Sequence, residues 1–475
     1  MKKAKKLYIL MGVFLLICLM TYFVSKEEEQ KEKMKNSDEV ILKIDKSNVK
    51  KLSWEVGSTK LSFQKKDGKW IYDEDKDFPV NDEKIENLLE QFESFGVSFE
   101  IEKVTDYGQY GLENPAGTIQ IQTKDKDYEI SIGDYSNMDS ERYVSIGDGN
   151  AYLVKEDPLD AFSMELKDLI KNDEIPDLSE TKEIQFEGTE EEQIVYEEES
   201  SKTYCSDDVF FLQDGSKQLP LDTMRVEAYL DMVTNLNFGQ YMTYHATEEE
   251  LKTYGLDQPD LTMTMEYEVQ EEENDEATKD SDNQKVEAAE FVLHIARDPE
   301  EKKEERKASE EEEEITAYAR VGDSGIVYKI AGEDYEALMK SSYNDLRHQK
   351  VFTADSDKIQ SVDIALDGKN YTLTTKKEND GLVWYYNDKK INGDDFKTAL
   401  YGLEIAKFTD EQPSETEEIS LTVHLDNENY PEVTVELYRY NGNNCLAVLD
   451  GEPVALVARE HVVELVEAVN GIVLE

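Results

Sequence analysis

Cysteine is scarce in this sequence, with only Cys18, Cys205 and Cys445 among 475 residues. Secreted scaffolds held by a disulfide framework use more cysteines, so that class of protein is excluded. Cys205 and Cys445 are expected to be two separate buried thiols, and a single bridge between them is the alternative. Cys18 follows Ile17, whereas a lipoprotein signal needs a small residue directly before its cysteine. Lipid attachment at Cys18 is therefore not predicted.

Positive charge is also scarce. The chain has 52 Lys and Arg against 108 Asp and Glu, which gives a formal net charge of −56. Such a surface repels nucleic acid and attracts cations or basic partners. No nucleic-acid partner is predicted, and weak, unspecific binding of divalent cations is expected from charge alone.

Sequence motifs for catalysis, nucleotides and metals are missing. Neither phosphate-binding glycine motif is present, and no twelve-residue calcium loop occurs. The histidines are far apart in sequence and have no zinc-ligand spacing. We therefore predict no catalytic, cofactor-binding or metal-binding residue and no cofactor, and we interpret the histidines as isolated structural residues. They are His245, His294, His348, His424 and His461.

One string resembles a nucleophile motif. Gly322-Asp323-Ser324-Gly325 spells the sequence around the catalytic serine of trypsin-like proteases. Gly and Asp occupy the corresponding slot in two other parts of the chain, at 147–150 and 450–453. These residue types tolerate the backbone angles of a tight turn, so a hairpin turn is predicted at Ser324.

The N-terminus carries the longest uncharged stretch, eighteen residues from Leu7 to Val24. That length is sufficient to cross a bilayer. Four lysines precede it and Glu27 to Glu29 follow, so the positive-inside rule places the N-terminus in the cytoplasm. We predict an uncleaved single-pass anchor at residues 1–25 and a polar stalk at 26–38, with the bulk of the chain extracytoplasmic at the cell membrane.

One pattern occurs three times, at offsets of 141 and 311 residues. In each copy an apolar residue and a helix N-cap residue precede apolar side chains at positions i, i+3, i+4 and i+7. Three capped amphipathic helices are thereby predicted. The copies are Val80-Asn81 with Ile85, Leu88, Leu89 and Phe92; Leu221-Asp222 with Val226, Tyr229, Leu230 and Val233; and Ile391-Asn392 with Phe396, Ala399, Leu400 and Leu403.

Strand-like runs precede each predicted helix, and further alternating strands and a closing helix follow it. The fold class expected is α+β: an N-terminal transmembrane helix, then three tandem repeats, each a mainly antiparallel sheet with two packed helices. The repeats are assigned to residues 39–172, 173–350 and 351–475. The strand-like runs are Val40–Ile44, Leu52–Phe63, Ile184–Tyr196 and Ile359–Leu373, and the closing helices are Leu159–Ile170, Tyr335–Leu346 and His461–Val469.

The second repeat contains two highly charged segments, 271–287 and 297–314. Both lack apolar periodicity, and we interpret them as acidic low-complexity insertions extending a hairpin into solvent. Trp70 and Trp384 occupy comparable places in two repeats, which favours core packing over a glycan-binding platform. Tyr254-Gly255-Leu256 is interpreted as the end of a short helix that begins with a Thr247–Glu250 capping box.

Several of these features together resemble an uncharacterised bacterial family, domain of unknown function 4340. The resemblance rests on the N-terminal anchor, on Trp70 followed by Pro79-Val80-Asn81, and on Tyr110-Gly111-Leu112 with Pro115 ahead of strands. It covers roughly residues 40–350. Proteins of this family are often encoded beside ABC-transporter subunits, so the resemblance implies an accessory role at a transporter.

The function expected is that of a non-enzymatic, membrane-anchored extracytoplasmic module that scaffolds or assists an envelope complex such as an ABC transporter. The first alternative is a surface protein that binds glycan or cell-wall polymer. The second is a hydrolase with a carboxylate site between repeats.

Overall fold

A computed structural model describes residues 20–22, 39–188, 191–270, 286–305, 315–378 and 381–474. The chain divides into two compact units, Met1–Asp173 and Glu174–Glu475. The first unit holds one nine-stranded sheet and the second holds two, and neighbouring strands in all three sheets are antiparallel.

The expected α+β class is wrong. Over the described residues the chain is mainly β, built on three nine-stranded sheets, and the helices there are few and mostly short. The sheets have more strands than the sequence predicts because tight turns lie inside the apolar runs. Leu52–Phe63 reverses at Gly57, and Ile359–Leu373 reverses at Asp367-Gly368, where both residues have positive φ. A two-residue turn of this kind joins adjacent antiparallel strands, so each run is a hairpin.

The predicted transmembrane helix is not found among the described residues. Of the stretch from Leu7 to Val24, the structure describes only residues 20–22, which are helical. The rest of the predicted anchor and the stalk at 26–38 lie outside the described residues. Within the described part of the chain, no helix is both long enough and apolar enough to cross a bilayer.

The first sheet has the strand order β1-β5-β9-β8-β7-β6-β2-β3-β4. Its strands are β1 Glu39–Leu42, β2 Val49–Val56, β3 Thr59–Lys66, β4 Lys69–Tyr72, β5 Phe95–Ile101, β6 Gly117–Thr123, β7 Asp127–Ser136, β8 Glu141–Ser145 and β9 Ala151–Val154.

The second sheet has the order β13-β12-β11-β10-β15-β16-β17-β18-β14. Its strands are β10 Thr181–Gly188, β11 Glu192–Tyr196, β12 Phe210–Asp214, β13 Lys217–Pro220, β14 Gln240–Thr243, β15 Leu261–Gln270, β16 Val286–Arg297, β17 Ala317–Val321 and β18 Val327–Ile330.

The third sheet has the order β22-β21-β20-β19-β24-β25-β26-β27-β23. Its strands are β19 Ile359–Leu366, β20 Lys369–Glu378, β21 Gly381–Tyr386, β22 Lys389–Ile391, β23 Ile405–Phe408, β24 Glu417–Leu425, β25 Glu432–Arg439, β26 Asn444–Leu449 and β27 Glu452–Ala458.

The three sheets share one order over eight strands. In each, the first strand after the amphipathic helix forms a pair with the last strand of the sheet, and the second strand after the helix joins the N-terminal hairpin. The first sheet adds β1 beyond β5, whereas the other two add a short strand, β13 or β22, at the opposite edge. This common order agrees with the internal repeat seen in the sequence.

The repeated amphipathic helices are Asp82–Glu90, Thr223–Thr234 and Asp394–Tyr401. The side chains of Asn81 and Asp222 accept hydrogen bonds from backbone N–H groups of the first turn, as N-caps do. In the third copy the helix begins one residue later, after Gly393. All the apolar stripe positions that the sequence predicted are buried.

Two of the three predicted closing helices are interrupted. The first consists of Pro158–Phe162 and a 3-10 turn at Leu166–Leu169, and the second of Gly332–Leu338 and Tyr343–Leu346. The second pieces begin with capping boxes, Glu165 with Asp168 and Ser342 with Asp345. Such a box satisfies the free N–H groups of a new helix start, which allows the helix to break there. The third closing helix, Arg459–Val473, is continuous.

The second charged segment is partly folded. Arg297 ends β16 with a buried side chain, and a helix follows at Pro299–Glu305. Lys302 forms an ion pair with Asp260, with Nζ 2.5 Å from Oδ1. Further short helical segments of the second unit are Glu248–Thr253 and a 3-10 turn at Ser356–Lys358. Residues 271–285 and 306–314 of the predicted insertions lie outside the described residues.

Candidate functional site

A group of chemically active side chains lies in the second unit, around the loop between β11 and β12. Thr203 Oγ1 accepts a hydrogen bond from the N–H of Cys205 (3.0 Å) and donates one to Asp208 Oδ2 (2.6 Å). The N–H of Asp208 donates to the carbonyl of Cys205 (3.3 Å). These bonds close the loop around a carboxylate whose residue is only 3% exposed.

His348 meets this loop from a distant part of the sequence. It follows the helix Tyr343–Leu346, and that segment is fixed because the N–H of Asp222 donates to the carbonyl of Leu346 (3.0 Å). His348 Nε2 lies 2.7 Å from Asp208 Oδ1, and Nδ1 lies 3.6 Å from Asp222 Oδ2. Both ring nitrogens therefore face carboxylates.

Burial and charge act in opposite directions on His348. Burial alone would lower the pKa of the imidazole, but the hydrogen bond to Asp208 and the charges of Asp208 and Asp222 outweigh it, so the pKa is raised. Burial, aided by the charge of Asp208, raises the pKa of the Cys205 thiol to about 12. The carboxylates thus favour the protonated form of the His348 imidazole, and burial favours the neutral form of the Cys205 thiol.

Three different ligand atoms converge at this place. A sulfur of Cys205, a carboxylate oxygen of Asp208 and a ring nitrogen of His348 all lie within 4.8 Å of one another. Cys205 and Asp208 are buried, and His348 is partly buried. Sulfur, imidazole nitrogen and carboxylate oxygen are the donor types that bind Zn²⁺ in proteins.

A small cavity of about 110 Å³ adjoins the group. Asp208 and His348 line it together with two cations, Arg347 and Lys350. The guanidinium of Arg347 stacks on Phe408, with 3.4 Å from Cζ to the ring centroid. Its Nε is buried without a hydrogen-bond partner in the described part of the chain. The lining of the cavity therefore includes two basic side chains, although the protein as a whole is strongly acidic.

A larger and more open groove, of about 600 Å³, lies beside the third closing helix. Its lining has no aromatic side chain, and aromatic rings are the usual platform for sugars. The lining residues are Gly442, Asn443, Ala458, Arg459, Glu460, Val463 and Glu464.

Ser324 lies in the turn between β17 and β18, as predicted. Gly322 in this turn has φ +43°, and the N–H of Ser324 donates to the carbonyl of Val321 (2.8 Å). The Ser324 hydroxyl accepts a hydrogen bond from the N–H of Ile326 (3.1 Å). The residue types of the string are explained by the turn.

The aromatic and helix-end predictions are confirmed. Trp70 and Trp384 are buried, and Trp70 Nε1 donates to Glu86 (2.7 Å). The Thr247–Glu250 capping box is present, and Gly255 has φ +74°. Leu256 then packs in a small core cluster with Ala296, Tyr318 and Val327.

The cysteines and the other histidines are also located. Cys205 and Cys445 are buried free thiols. His294 and His424 lie within strands β16 and β24, where they contact Thr262 and Asp363 respectively. His245 precedes the helix Glu248–Thr253, and His461 lies in the helix Arg459–Val473.

The sequence does not predict the group formed by Cys205, Asp208 and His348. His348 is far from the other two residues along the chain, so the histidines look isolated in the sequence. One signal was present: Arg347-His348-Gln349-Lys350 is a basic run in a chain dominated by acids. Only the folded chain pairs that run with the Cys205 loop.

A family profile described as domain of unknown function (DUF4340) matches residues 70–259 and, in a second overlapping match, 213–422. The chain belongs to this family. The second match extends beyond the resemblance seen in the sequence and reaches β24 of the third sheet. No curated protein and no solved structure matches the chain.

Proposed function

We propose that this DUF4340 protein is a non-enzymatic extracytoplasmic module at the cell membrane, and that it assists the assembly or operation of an envelope complex, namely an ABC transporter. The location rests on the lysines before Leu7 and the acidic residues after Val24. The transporter as partner rests on the family resemblance. The non-enzymatic part rests on the geometry around His348.

The observation that carries the proposal is that each ring nitrogen of His348 faces a carboxylate. A cysteine nucleophile needs a neighbouring base with a free nitrogen lone pair to take the thiol proton. In this protein Nε2 is bonded to Asp208 and Nδ1 faces Asp222. The group therefore resembles a buried ionic crosslink between the Cys205 loop and the segment leading to the third sheet.

Two of the sheet edges discourage a partner from binding by strand addition. The edge strands β13 and β22 are four and three residues long, and they carry Lys217, Pro220, Lys389 and Lys390. Short edges with lysine and proline discourage pairing with strands of other chains. A partner would then bind through loops and side chains rather than by adding a strand.

The test is affinity purification of the full-length protein from gently solubilised membranes. We expect ABC-transporter subunits to be recovered with the wild-type protein and, to the same extent, with Cys205→Ser. A preparation that contains the protein but no transporter subunit would contradict the proposed partner. Loss of the cellular phenotype in Cys205→Ser, with normal protein levels and normal copurification, would contradict a role limited to assembly.

A further inference from the structure

We infer that Cys205, Asp208 and His348 form a binding site for a zinc-like divalent metal ion in the second unit. This site goes beyond the proposed function and does not depend on it. Each ligand comes from a place where the backbone is fixed: two from the loop between β11 and β12, and one from the segment after Leu346.

The donor set and its spacing suit zinc. In a tetrahedral zinc site with bonds of about 2.0–2.3 Å, the donor atoms lie about 3.5 Å apart. The three donors here lie within 4.8 Å of one another, and the contact between His348 Nε2 and Asp208 Oδ1 is 2.7 Å. Metal binding would release to solvent the proton shared by that nitrogen and oxygen and the thiol proton of Cys205. The contact between His348 and Asp208 would lengthen to about 3.5 Å, and the sulfur would move inward.

Two of the proposed ligand side chains have polar neighbours that can orient them. Metal-binding histidines usually donate their other N–H to a carboxylate, which fixes the ring and increases its basicity. Asp222 Oδ2 lies on that side of the ring, 3.6 Å from His348 Nδ1, so a small shift would bring the carboxylate within hydrogen-bond distance. The second oxygen of Asp208 accepts a hydrogen bond from Thr203. Asp208 thus has a hydrogen-bonded orienting partner, and His348 has a carboxylate beside its second nitrogen.

The charges of the three ligands can be balanced by a divalent metal ion. A thiolate, a carboxylate and a neutral imidazole around a dication give a neutral buried centre, which avoids the cost of an unpaired buried charge. A sulfur ligand selects zinc or similar metals over Mg²⁺ and Ca²⁺, which prefer oxygen. The 110 Å³ cavity beside Asp208 and His348 leaves room for a water as fourth ligand.

The experiment must separate this site from unspecific binding to an acidic surface. Full-length protein is freed of metal with a chelator and then titrated with Zn²⁺ or Co²⁺ in a large excess of Mg²⁺, which occupies the exposed carboxylates. We expect one equivalent of Zn²⁺ to remain after desalting. With Co²⁺ we expect the near-ultraviolet absorption of a thiolate–cobalt bond.

Matched variants identify the ligands. Cys205→Ser should lose the thiolate–cobalt band and the retained zinc, whereas Cys445→Ser, at the other buried free thiol, should keep both. Asp222→Asn should lower the zinc affinity about ten-fold because it weakens the partner of His348. His348→Gln should also lose the retained zinc.

Three results would overturn the inference: displacement of all bound zinc by Mg²⁺, a cobalt complex without a thiolate band, or zinc retention in Cys205→Ser equal to that of the wild type. The cobalt spectrum of the wild-type protein decides the matter even if a variant fails to fold. None of these results bears on copurification with transporter subunits, so the two proposals fail independently.

Discussion

The ring of Tyr204 stacks on the ring of Phe352, with centroids 6.5 Å apart and planes inclined by 19°. Tyr204 belongs to the loop between β11 and β12 of the second sheet, whereas Phe352 is a fully buried residue of the third sheet's core. The ring of Tyr430 meets the ring of Tyr204 edge-on, with centroids 5.7 Å apart. A loop of one sheet therefore contributes to the core of the next.

Tyr204→Ala should lower the free energy of unfolding of the second unit by about 2 kcal/mol, because it removes a large aromatic side chain from a packed cluster. Tyr204→Phe keeps the ring and should cost less than half as much. Urea denaturation followed by circular dichroism measures both. Equal stability of Tyr204→Ala and the wild type would show that this contact does not stabilise the unit.

Leu230→Asp should unfold the second unit, since it places an uncompensated charge in the core beneath the helix Thr223–Thr234. Met224→Asp is the matched control on the same helix, because Met224 is 76% exposed. Limited proteolysis should cleave the first variant rapidly and leave the second as resistant as the wild type.

The same comparison applies to the first unit. Leu89→Asp should unfold it, and Asn87→Asp, at an exposed position of the same helix, should not. If Leu89→Asp is no more sensitive to protease than Asn87→Asp, the assignment of the buried helix face is wrong.

Gly111→Ala should destabilise the first unit more than Gly57→Ala does. Both glycines have positive φ, 68° and 58°, so an alanine at either position costs about 1 kcal/mol of backbone strain. A Cβ at Gly111 would also lie 2.4 Å from Cγ of Asp134, whereas a Cβ at Gly57 meets no atom within 4 Å. The overpacking should add about 1–3 kcal/mol at Gly111.

Chemical denaturation of the two glycine variants checks this prediction. Equal losses of stability would mean that Asp134 moves aside at little cost. A larger loss in Gly57→Ala would contradict the packing around Gly111.

His294 should make the second unit less stable in mild acid. Burial, with the charge of Arg320, lowers the pKa of His294 below its ordinary value of 6.5. Below pH 6.5 the unfolded chain therefore binds a proton that the folded chain does not, so the free energy of unfolding falls as the pH falls. Above 6.5 both states are neutral at this residue and the contribution of His294 is constant.

His294→Gln removes this proton uptake and should give a flatter dependence of unfolding free energy on pH below 6.5. The measurement is urea denaturation of both proteins at a series of pH values. A wild-type protein that gains stability relative to the variant as the pH falls would show that the histidine is protonated in the folded state.

Local sequence patterns predicted the local structures well. The spacing of Leu88 and Leu89, or of Tyr229 and Leu230, reports which helix face is buried, because a helix places such residues on one side. The turn at Ser324 followed from glycine and aspartate, since few other residues adopt the required angles. These features depend on interactions between residues near one another in the chain.

The number of strands was not predictable in the same way. The edge strands β13, β14 and β22 have only three or four residues, which is too short for a period-two pattern to be recognised. They are strands because an ordered neighbour offers hydrogen bonds to their backbones. This hydrogen bonding depends on the whole sheet and not on the local sequence. The short strands that it adds are one reason why the fold is mainly β and not α+β as expected.

By itself the sequence determined the acidic surface, the repeated amphipathic helices, the tight turns and the family. Tertiary structure alone decided that Cys205 and Asp208 meet His348, because that meeting depends on how the loop of the second sheet packs against the segment leading to the third. The sequence around Cys205 and Asp208 contains no information about where His348 will lie. The three ligand atoms therefore come together only after the chain has folded.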